Sequence, residues 1–584
     1  MNGISRFAIA VLACVSLAGT ETWAAGDGGQ SWEGSLKVLP GVDLRLVLHV
    51  QERENGVLTA SLDSPDQGAK DLKIDTVIRD KTRLVFELKG LAAKFEGKLN
   101  DAGTEAKGTW TQGGNALPLT LKKKDTAIPE PKIVGAEQFW EGKLPIGPGL
   151  SYRLVLRVSK TDNGGLVAQL DSPDEGFRGL KVEPITLDAK RLRFELKVSG
   201  ARYEGTLNAS GTEAVGEWAQ ASAKVPLTFK KTDRPSVVRR PQTPKPPFPY
   251  KAEAVVYQNV KGGVTLAGTL TKPQGAGPFP AVILISGSGA QDRDETIFQH
   301  KPFFVLADAL TRRGLAVLRV DDRGVGGSTG STAKATSNDF AEDVLAGVAY
   351  LKTRPEIAAR KIGLIGHSEG GLIAPLVATR SDDVAFIVLM AGTGLPGDEI
   401  ILMQARLLAQ ALGAGGDGLD RRMEIQKQLL QIAKTEPDDP TALAKMRETA
   451  RGRAGANNEQ DAKAENRLDA RLEGQFKAMR SPWYRHFLAY DPRPALAHVR
   501  CPVLALVGEK DLQVPPKENL SAIEKALKES GNTSATVKEL PGLNHLFQTC
   551  RTGSTAEYAE IEETIAPAAL ELIGSWVESH AKGR

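Results

Sequence analysis

The feature that most constrains this chain is a duplication. Trp32-Glu33-Gly34 returns as Trp140-Glu141-Gly142, and Leu62-Asp63-Ser64-Pro65-Asp66 returns as Leu170-Asp171-Ser172-Pro173-Asp174. Gly103-Thr104-Glu105-Ala106 returns as Gly211-Thr212-Glu213-Ala214, and Trp110 as Trp218, always at an offset of 108 residues. A constant offset means no net insertion, so residues 31–124 and 139–232 are two copies of one folding unit. A chain of 584 residues that contains such a pair is expected to fold as three or four domains.

Within each copy the apolar residues recur with period two. Leu44, Leu46, Leu48 and Val50 alternate with other residues in the first copy, matched by Tyr152, Leu154, Leu156 and Val158 in the second. Leu84, Phe86 and Leu88 repeat as Leu192, Phe194 and Leu196. Alternation turns one face of each strand inward. About eight such strands, punctuated by Gly, Asn-Gly and Asp-Ser-Pro-Asp turns, predict two tandem small antiparallel all-β domains, each a barrel or sandwich. Their expected spans are 25–126 and 133–233. Asp and Ser bond nearby backbone and Pro fixes φ, so the Asp-Ser-Pro-Asp turns read as structural. The tryptophans read as plugs of the barrel ends. Residues 234–250 are basic and proline-rich, which predicts an extended, solvated linker.

The first residues read as an address. Arg6 precedes an apolar run from Phe7 to Leu17, and Thr22 and Ala24 stand at the −3 and −1 positions of a cleavage site. This predicts a signal peptide over 1–24 and a periplasmic or secreted protein. Its apolar run is too short to span a bilayer, and no transmembrane segment is expected elsewhere. Lipidation at Cys14 is the minor alternative. Cys501 and Cys550 are the remaining cysteines, expected near the active-site end of the C-terminal domain, with their pairing open. A net charge of +4, with Lys and Arg spread rather than massed, gives no support to nucleic-acid binding. No metal-ligand spacing appears.

From residue 251 the texture changes. Pro280–Ser286, Leu315–Val320, Lys361–Gly366, Val384–Ala391 and Pro502–Glu509 are short apolar runs separated by helical patterns, which predicts a doubly wound, mostly parallel sheet. Two Gly-x-Ser-x-Gly stretches lie in it, around Ser328 and Ser368. Ser368 follows a predicted strand and opens a predicted helix, a setting that projects Oγ above the sheet. Ser328 sits in a Gly-rich loop and reads as structural. Ser368 is therefore the expected nucleophile.

A serine hydroxyl needs a base to take its proton. Of seven histidines, His545 in Leu540-Pro541-Gly542-Leu543-Asn544-His545 follows a predicted strand and fits; His367 adjoins the serine on the wrong side. The acid should lie between Ser368 and His545 along the chain. Asp511, at the carboxyl end of the predicted strand 502–507, fits, with Glu509 the neighbouring alternative. Two backbone donors should face the developing oxyanion. The expected ones are the N–H of Glu369 and the N–H of Ser288 in Ser286-Gly287-Ser288-Gly289.

These blocks resemble a bacterial α/β-hydrolase carboxylesterase family with prolyl-oligopeptidase-like relatives. The resemblance rests on Ser-Gly-Ser-Gly-Ala-Gln-Asp-Arg-Asp from 286, Asp-Asp-Arg-Gly-Val-Gly-Gly-Ser from 321, Gly-His-Ser-Glu-Gly-Gly from 366, Gly-Glu-Lys-Asp-Leu-Gln-Val-Pro from 508 and Leu-Asn-His-Leu-Phe-Gln from 543. It implies an α/β-hydrolase fold over 251–584, a small-molecule ester as substrate, short acyl chains, and no cofactor. Between the fourth and fifth parallel strands a helical lid is expected at about 395–498, from Leu429, Leu430, Ile432, Leu468, Leu472, Phe476 and Met479. Trp483, Tyr484 and Phe487 either line an acyl pocket or dock the lid. An aminopeptidase or dipeptidyl peptidase is the alternative, with Glu369 as the acidic residue near the pocket. A binding or attachment protein dominated by the β modules is the other.

Overall fold

The computed structural model describes residues 30–582 apart from 40–41, 53–56, 66–68, 89–90, 92, 113–114, 125–132, 148, 222, 452–474 and 530. The signal segment 1–24 with Cys14, the turn residue Asp66, and Leu468 and Leu472 of the lid lie outside the described residues. The chain divides into two compact units, one ending at Val238 and one beginning at Arg239.

The first unit holds both β modules. In the first, nine antiparallel strands run β1 (Gln30–Leu39), β2 (Val42–Glu52), β3 (Leu58–Ser64), β4 (Ala69–Lys73), β5 (Thr76–Arg79), β6 (Arg83–Leu88), β7 (Ala93–Leu99), β8 (Glu105–Gln112) and β9 (Asn115–Lys124). Their order is β4-β3-β2-β1-β9-β8-β7-β6-β5, so the two edge strands are consecutive in the chain. The join between them ties the edges together. Ile74 donates to the Ala60 carbonyl in β3 (3.3 Å), and Asp75 donates to the Glu87 carbonyl in β6 (2.9 Å). β4 and β5 thus act as halves of one bent strand, which gives a near-closed barrel. The second module, from β10 (Ile133–Gly147) to β18 (Ala223–Thr232), repeats that order.

Both interiors are filled by side chains. Leu44, Leu46, Leu48, Phe86, Phe95, Trp32 and Trp110 are buried in one, and Leu154, Leu156, Phe194, Tyr203, Trp140 and Trp218 in the other. At β7–β8, Gly97 stands opposite Gly108, and a Cβ on Gly108 would fall 1.9 Å from the Glu96 carbonyl oxygen. The second copy keeps the pair, with Gly216 equally crowded, 2.1 Å from the Glu204 carbonyl. Val198 of the second copy joins the first copy's core, so the two barrels share apolar packing.

The outer faces differ. On the first barrel His49 bonds Ser31 Oγ through Nδ1 (3.1 Å) and Asp63 through Nε2 (3.0 Å). The aligned residues of the second are Phe139, Arg157 and Asp171, and there Arg157 donates to Asp171 at 3.0 Å. Both aspartates also hold backbone, Asp63 accepting from Asp71 N–H (2.8 Å) and Asp171 from Gly179 N–H (2.7 Å).

The second unit is built on an eight-stranded sheet. Its strands are β19 (Lys251–Asn259), β20 (Val264–Lys272), β21 (Phe279–Ile285), β22 (Ala316–Val320), β23 (Ile357–His367), β24 (Val384–Met390), β25 (Val503–Gly508) and β26 (Ala535–Leu540). They lie in the order β19-β20-β22-β21-β23-β24-β25-β26, antiparallel up to β22 and parallel beyond it. Helices α1 (Pro302–Arg312), α2 (Ser337–Lys352) and α3 (Glu369–Ala378) come from the first crossovers. The apolar sides of α2 and α3 cover one face of the sheet, and α1 covers the other.

After β24 follow α4 (Gly397–Ala411), α5 (Gly416–Thr435), α6 (Asp439–Arg451), α7 (Pro482–Ala489) and α8 (Arg493–Leu496), the expected helical insertion. Leu429, Leu430, Ala433, Met446 and Leu488 form its own small core. α9 (Pro516–Glu529) and α10 (Pro567–Lys582) complete the layers on opposite faces. Among the described residues no helix is long and apolar enough to cross a membrane.

Two expectations need correction. Within residues 239–250, Arg240 and Gln242 are docked and not solvated. Arg240 donates to the carbonyls of Phe298, Ala559 and Ile561 at 2.7–3.0 Å, and Gln242 donates to the Ile565 carbonyl at 2.7 Å. A guanidinium with carbonyl partners is worth more docked than hydrated. Cys501 is not near the active-site end either. It precedes β25 whereas Asp511 follows that strand, and both Cys501 and Cys550 are free thiols.

Candidate active site

The crossover from β23 to α3 is sharp because four backbone segments meet there. A Cβ on Gly366 would lie 2.0 Å from the Gly370 carbonyl oxygen, and one on Gly370 would lie 2.1 Å from that of Ile285. Between these glycines Ser368 takes φ 53° and ψ −115°, a conformation that L-residues adopt rarely and at a cost of about 1–3 kcal/mol. Ser368 is half-buried, and its N–H donates to the Met390 carbonyl at 2.8 Å. Ser328, from the other Gly-x-Ser-x-Gly stretch, is spent on structure. It donates to the Asp321 carbonyl (2.7 Å) and accepts from Ala267 N–H (2.9 Å).

Asp511 and His545 come together at the carboxyl ends of β25 and β26. Gly508 makes this possible, since a Cβ there would fall 2.3 Å from the Leu543 carbonyl. His545 Nδ1 donates to Asp511 Oδ2 at 2.7 Å, and both groups are buried. The other oxygen of Asp511 accepts from the N–H groups of Gln513 and Val514, each at 2.8 Å. Glu509 instead accepts from Gly542 N–H (2.7 Å). Asn544, fully buried, folds the histidine loop by accepting from Leu546 and Gln548 N–H.

Gly287 brings the Ser286–Gly289 loop against the serine: a Cβ on it would lie 3.2 Å from Ser368 Cβ. Glu369 is the first residue of α3, so its N–H is among the donors that a helix leaves without an internal partner. The Glu369 side chain turns away into a buried network, accepting from Ser337 Oγ (2.6 Å) and Trp483 Nε1 (2.8 Å), with Ser288 as a further hydrogen-bond partner. Burial raises its pKa, against the opposing pull of those hydrogen bonds.

Trp483 thus reaches the serine's neighbour, while Phe487 stacks on it (5.4 Å between ring centres) and is buried in the core of the sheet's helical face. Tyr484 packs with the core of the insertion. A cavity beside the loop is lined by Ser286, Gly287, Asp322, Phe340, Glu369 and Ile373. Asp322 in its wall accepts from Ser286 Oγ (2.7 Å) and Gln291 N–H (2.8 Å), and burial pushes its pKa up to about 7.

Sequence reasoning missed two contributors. His367 was set aside for its position beside Ser368, yet it is buried between Glu295 and the His545 backbone. Glu295 lies just past the Ser286–Asp294 block and carried no motif signal of its own.

Residues 282–559 match the model of the alpha/beta hydrolase family. Esterase EstD of Thermotoga maritima is 29% identical over 283 residues, which is 48% of this chain and 58% of that protein. The match therefore spans little more than half the length of this curated relative. Among solved structures, alpha/beta hydrolase GrgF from Penicillium sp. sh18 is 18% identical with a TM-score of 0.36, over 57% of this chain and 99% of that one. Proline iminopeptidase from Mycobacterium smegmatis is 16% identical with a TM-score of 0.35, over 57% and 99%. The sheet order and the match over residues 282–559 together show a C-terminal domain with the α/β-hydrolase fold.

Proposed function

We propose that the protein is a serine carboxylesterase acting on short-chain acyl esters through an acyl-enzyme. The observation that carries this reading is the buried His545 whose Nδ1 is held by Asp511 at 2.7 Å, in a domain whose β23–α3 turn carries the strained, half-buried Ser368. Holding Nδ1 fixes the tautomer, which leaves Nε2 to take the serine proton. Ser368 Oγ attacks the ester carbonyl. The N–H groups of Glu369 and Ser288 receive the oxyanion, and His545 returns the proton to the leaving alcohol. Water then repeats the sequence to release the acid. The similarity to an esterase adds support.

The peptidase alternative would need a free acid to hold a substrate ammonium. The Glu369 carboxylate is already committed to Ser337 and Trp483, which favours neutral esters. Trp483 remains the one predicted aromatic adjoining the site, and Tyr484 and Phe487 are better read as docking the lid. Export through residues 1–24 belongs to the same proposal, and N-terminal sequencing of secreted protein beginning at Ala25 would support it.

The test is hydrolysis of p-nitrophenyl acetate, butyrate and octanoate by wild type and Ser368→Ala. The expected result is turnover that favours the shorter esters and falls by at least roughly a thousandfold in the variant. Ester turnover that survives in Ser368→Ala, or none in the wild type, overturns the reading.

A further inference from the structure

His367 has only acceptors around it. Nδ1 lies 2.9 Å from Glu295 Oε1, and Nε2 lies 3.0 Å from the backbone carbonyl oxygen of His545. A carboxylate and a carbonyl can only accept, so both ring nitrogens must donate. That requires the imidazolium. The same Oε1 of Glu295 also accepts from Gly287 N–H at 2.7 Å, so one oxygen serves both the oxyanion loop and the histidine ring. Both side chains are nine-tenths or more buried, and Glu295 also takes a positive φ of 53°. Gly287 admits the carboxylate closely: a Cβ on it would lie 3.2 Å from Glu295 Oε1.

We propose that Glu295 and His367 form a buried carboxylate–imidazolium pair that positions the reaction centre, tying the oxyanion loop at Gly287 to the backbone of the base His545. Neither group touches substrate in this arrangement; both are positioning residues. The inference rests on the reading of Ser368 and His545 given above. The groups facing His367 are Glu295, the ring and carbonyl of His545, the charge of Asp511 and the edge of Phe547. Burial works against the charged ring, but Glu295, the His545 carbonyl and Asp511 together hold its pKa above the ordinary histidine value.

In the wild type His367 therefore stays protonated, and activity holds a plateau on the alkaline side. Glu295→Gln keeps the shape and an acceptor for Gly287 but removes the countercharge. His367 then loses a proton as pH rises, Nε2 turns its lone pair on the His545 carbonyl, and the loop shifts. The plateau becomes a bell.

The experiment measures kcat and KM for p-nitrophenyl butyrate against pH in wild type, Glu295→Gln, His367→Phe and Ser368→Ala. It is joined by nitrogen-15 histidine spectra of the wild type and Glu295→Gln. The expected result is a new alkaline limb in Glu295→Gln, with kcat down roughly 10- to 100-fold at its upper end and KM within about threefold. His367→Phe loses a similar factor at every pH, without that limb. One wild-type histidine keeps both nitrogens protonated at about pH 8, and this signature weakens in Glu295→Gln. A Glu295→Gln profile that superimposes on the wild type, or no doubly protonated histidine at that pH, overturns the proposal. The spectra decide the matter even if His367→Phe fails to fold. Activity persisting in Ser368→Ala overturns the serine reading instead, and leaves the spectra to judge the pair.

Discussion

Asp322 shows how a single side chain can carry a cost that varies with pH. Its carboxyl is buried beside the site, and burial lifts its pKa from the usual carboxylate range to about 7. The folded chain thus binds this proton more tightly than the unfolded chain does. The cost of ionising it is absent below the ordinary carboxylate pKa and complete above about 7. Asp322→Asn keeps an acceptor for Gln291 N–H and should remove that cost. We expect the variant to melt higher than the wild type at about pH 8 and much closer to it at about pH 4, read by calorimetry. An advantage independent of pH would mean that Asp322 is ionised throughout. At this scale the sequence was informative where chemistry demands a fixed residue type on a fixed element. The expectation that an acid and a base from two strand ends would meet followed from chain order, and Asp511 bonds His545 while Glu509 does not. It was silent on Glu295 and His367, which meet across 72 positions by backbone turns that no local pattern encodes.

The elements tell a parallel story. Period-two alternation predicted the strands because a barrel wall has one dry face, and Leu44, Leu46, Leu48 and Val50 are buried accordingly. Barrel closure was beyond that pattern, since it depends on the bend at Ile74–Asp75 and its bonds to Ala60 and Glu87. Close packing at β7–β8 gives a test of the module. Gly108→Ala sets a methyl against the Glu96 carbonyl and should cost about 1–3 kcal/mol by overpacking. Chemical denaturation of the N-terminal unit should register the loss, while Gly103→Ala, which meets no neighbour, should lose only about 1–2 kcal/mol, through its positive φ. Equal losses at the two sites would show that backbone freedom, and not contact, selects the glycines. The Pro-rich stretch misled for a physical reason. Composition reports that a segment can stay extended, but Arg240 finds its carbonyls on residues 298, 559 and 561, far away in sequence.

For the whole molecule, that docking sets where the catalytic unit begins. A fragment of residues 239–584 retains Arg240 and Gln242 on the 559–565 segment, whereas 251–584 leaves those carbonyls bare. The longer fragment should melt higher by on the order of 5 °C in differential scanning fluorimetry. Coincident melting would mean that the strap adds nothing to the fold. The consequence of the duplication is different in kind. The two barrels repeat one interior pattern but present two exteriors: Ser31, His49 and Asp63 on one, Phe139, Arg157 and Asp171 on the other. Tandem modules multiply affinity when each grips the same ligand, because the second contact then comes at high effective concentration. A face that reads imidazole in one copy and guanidinium plus phenyl in the other cannot grip the same chemical group twice. At these positions the duplication repeats a scaffold and not a surface.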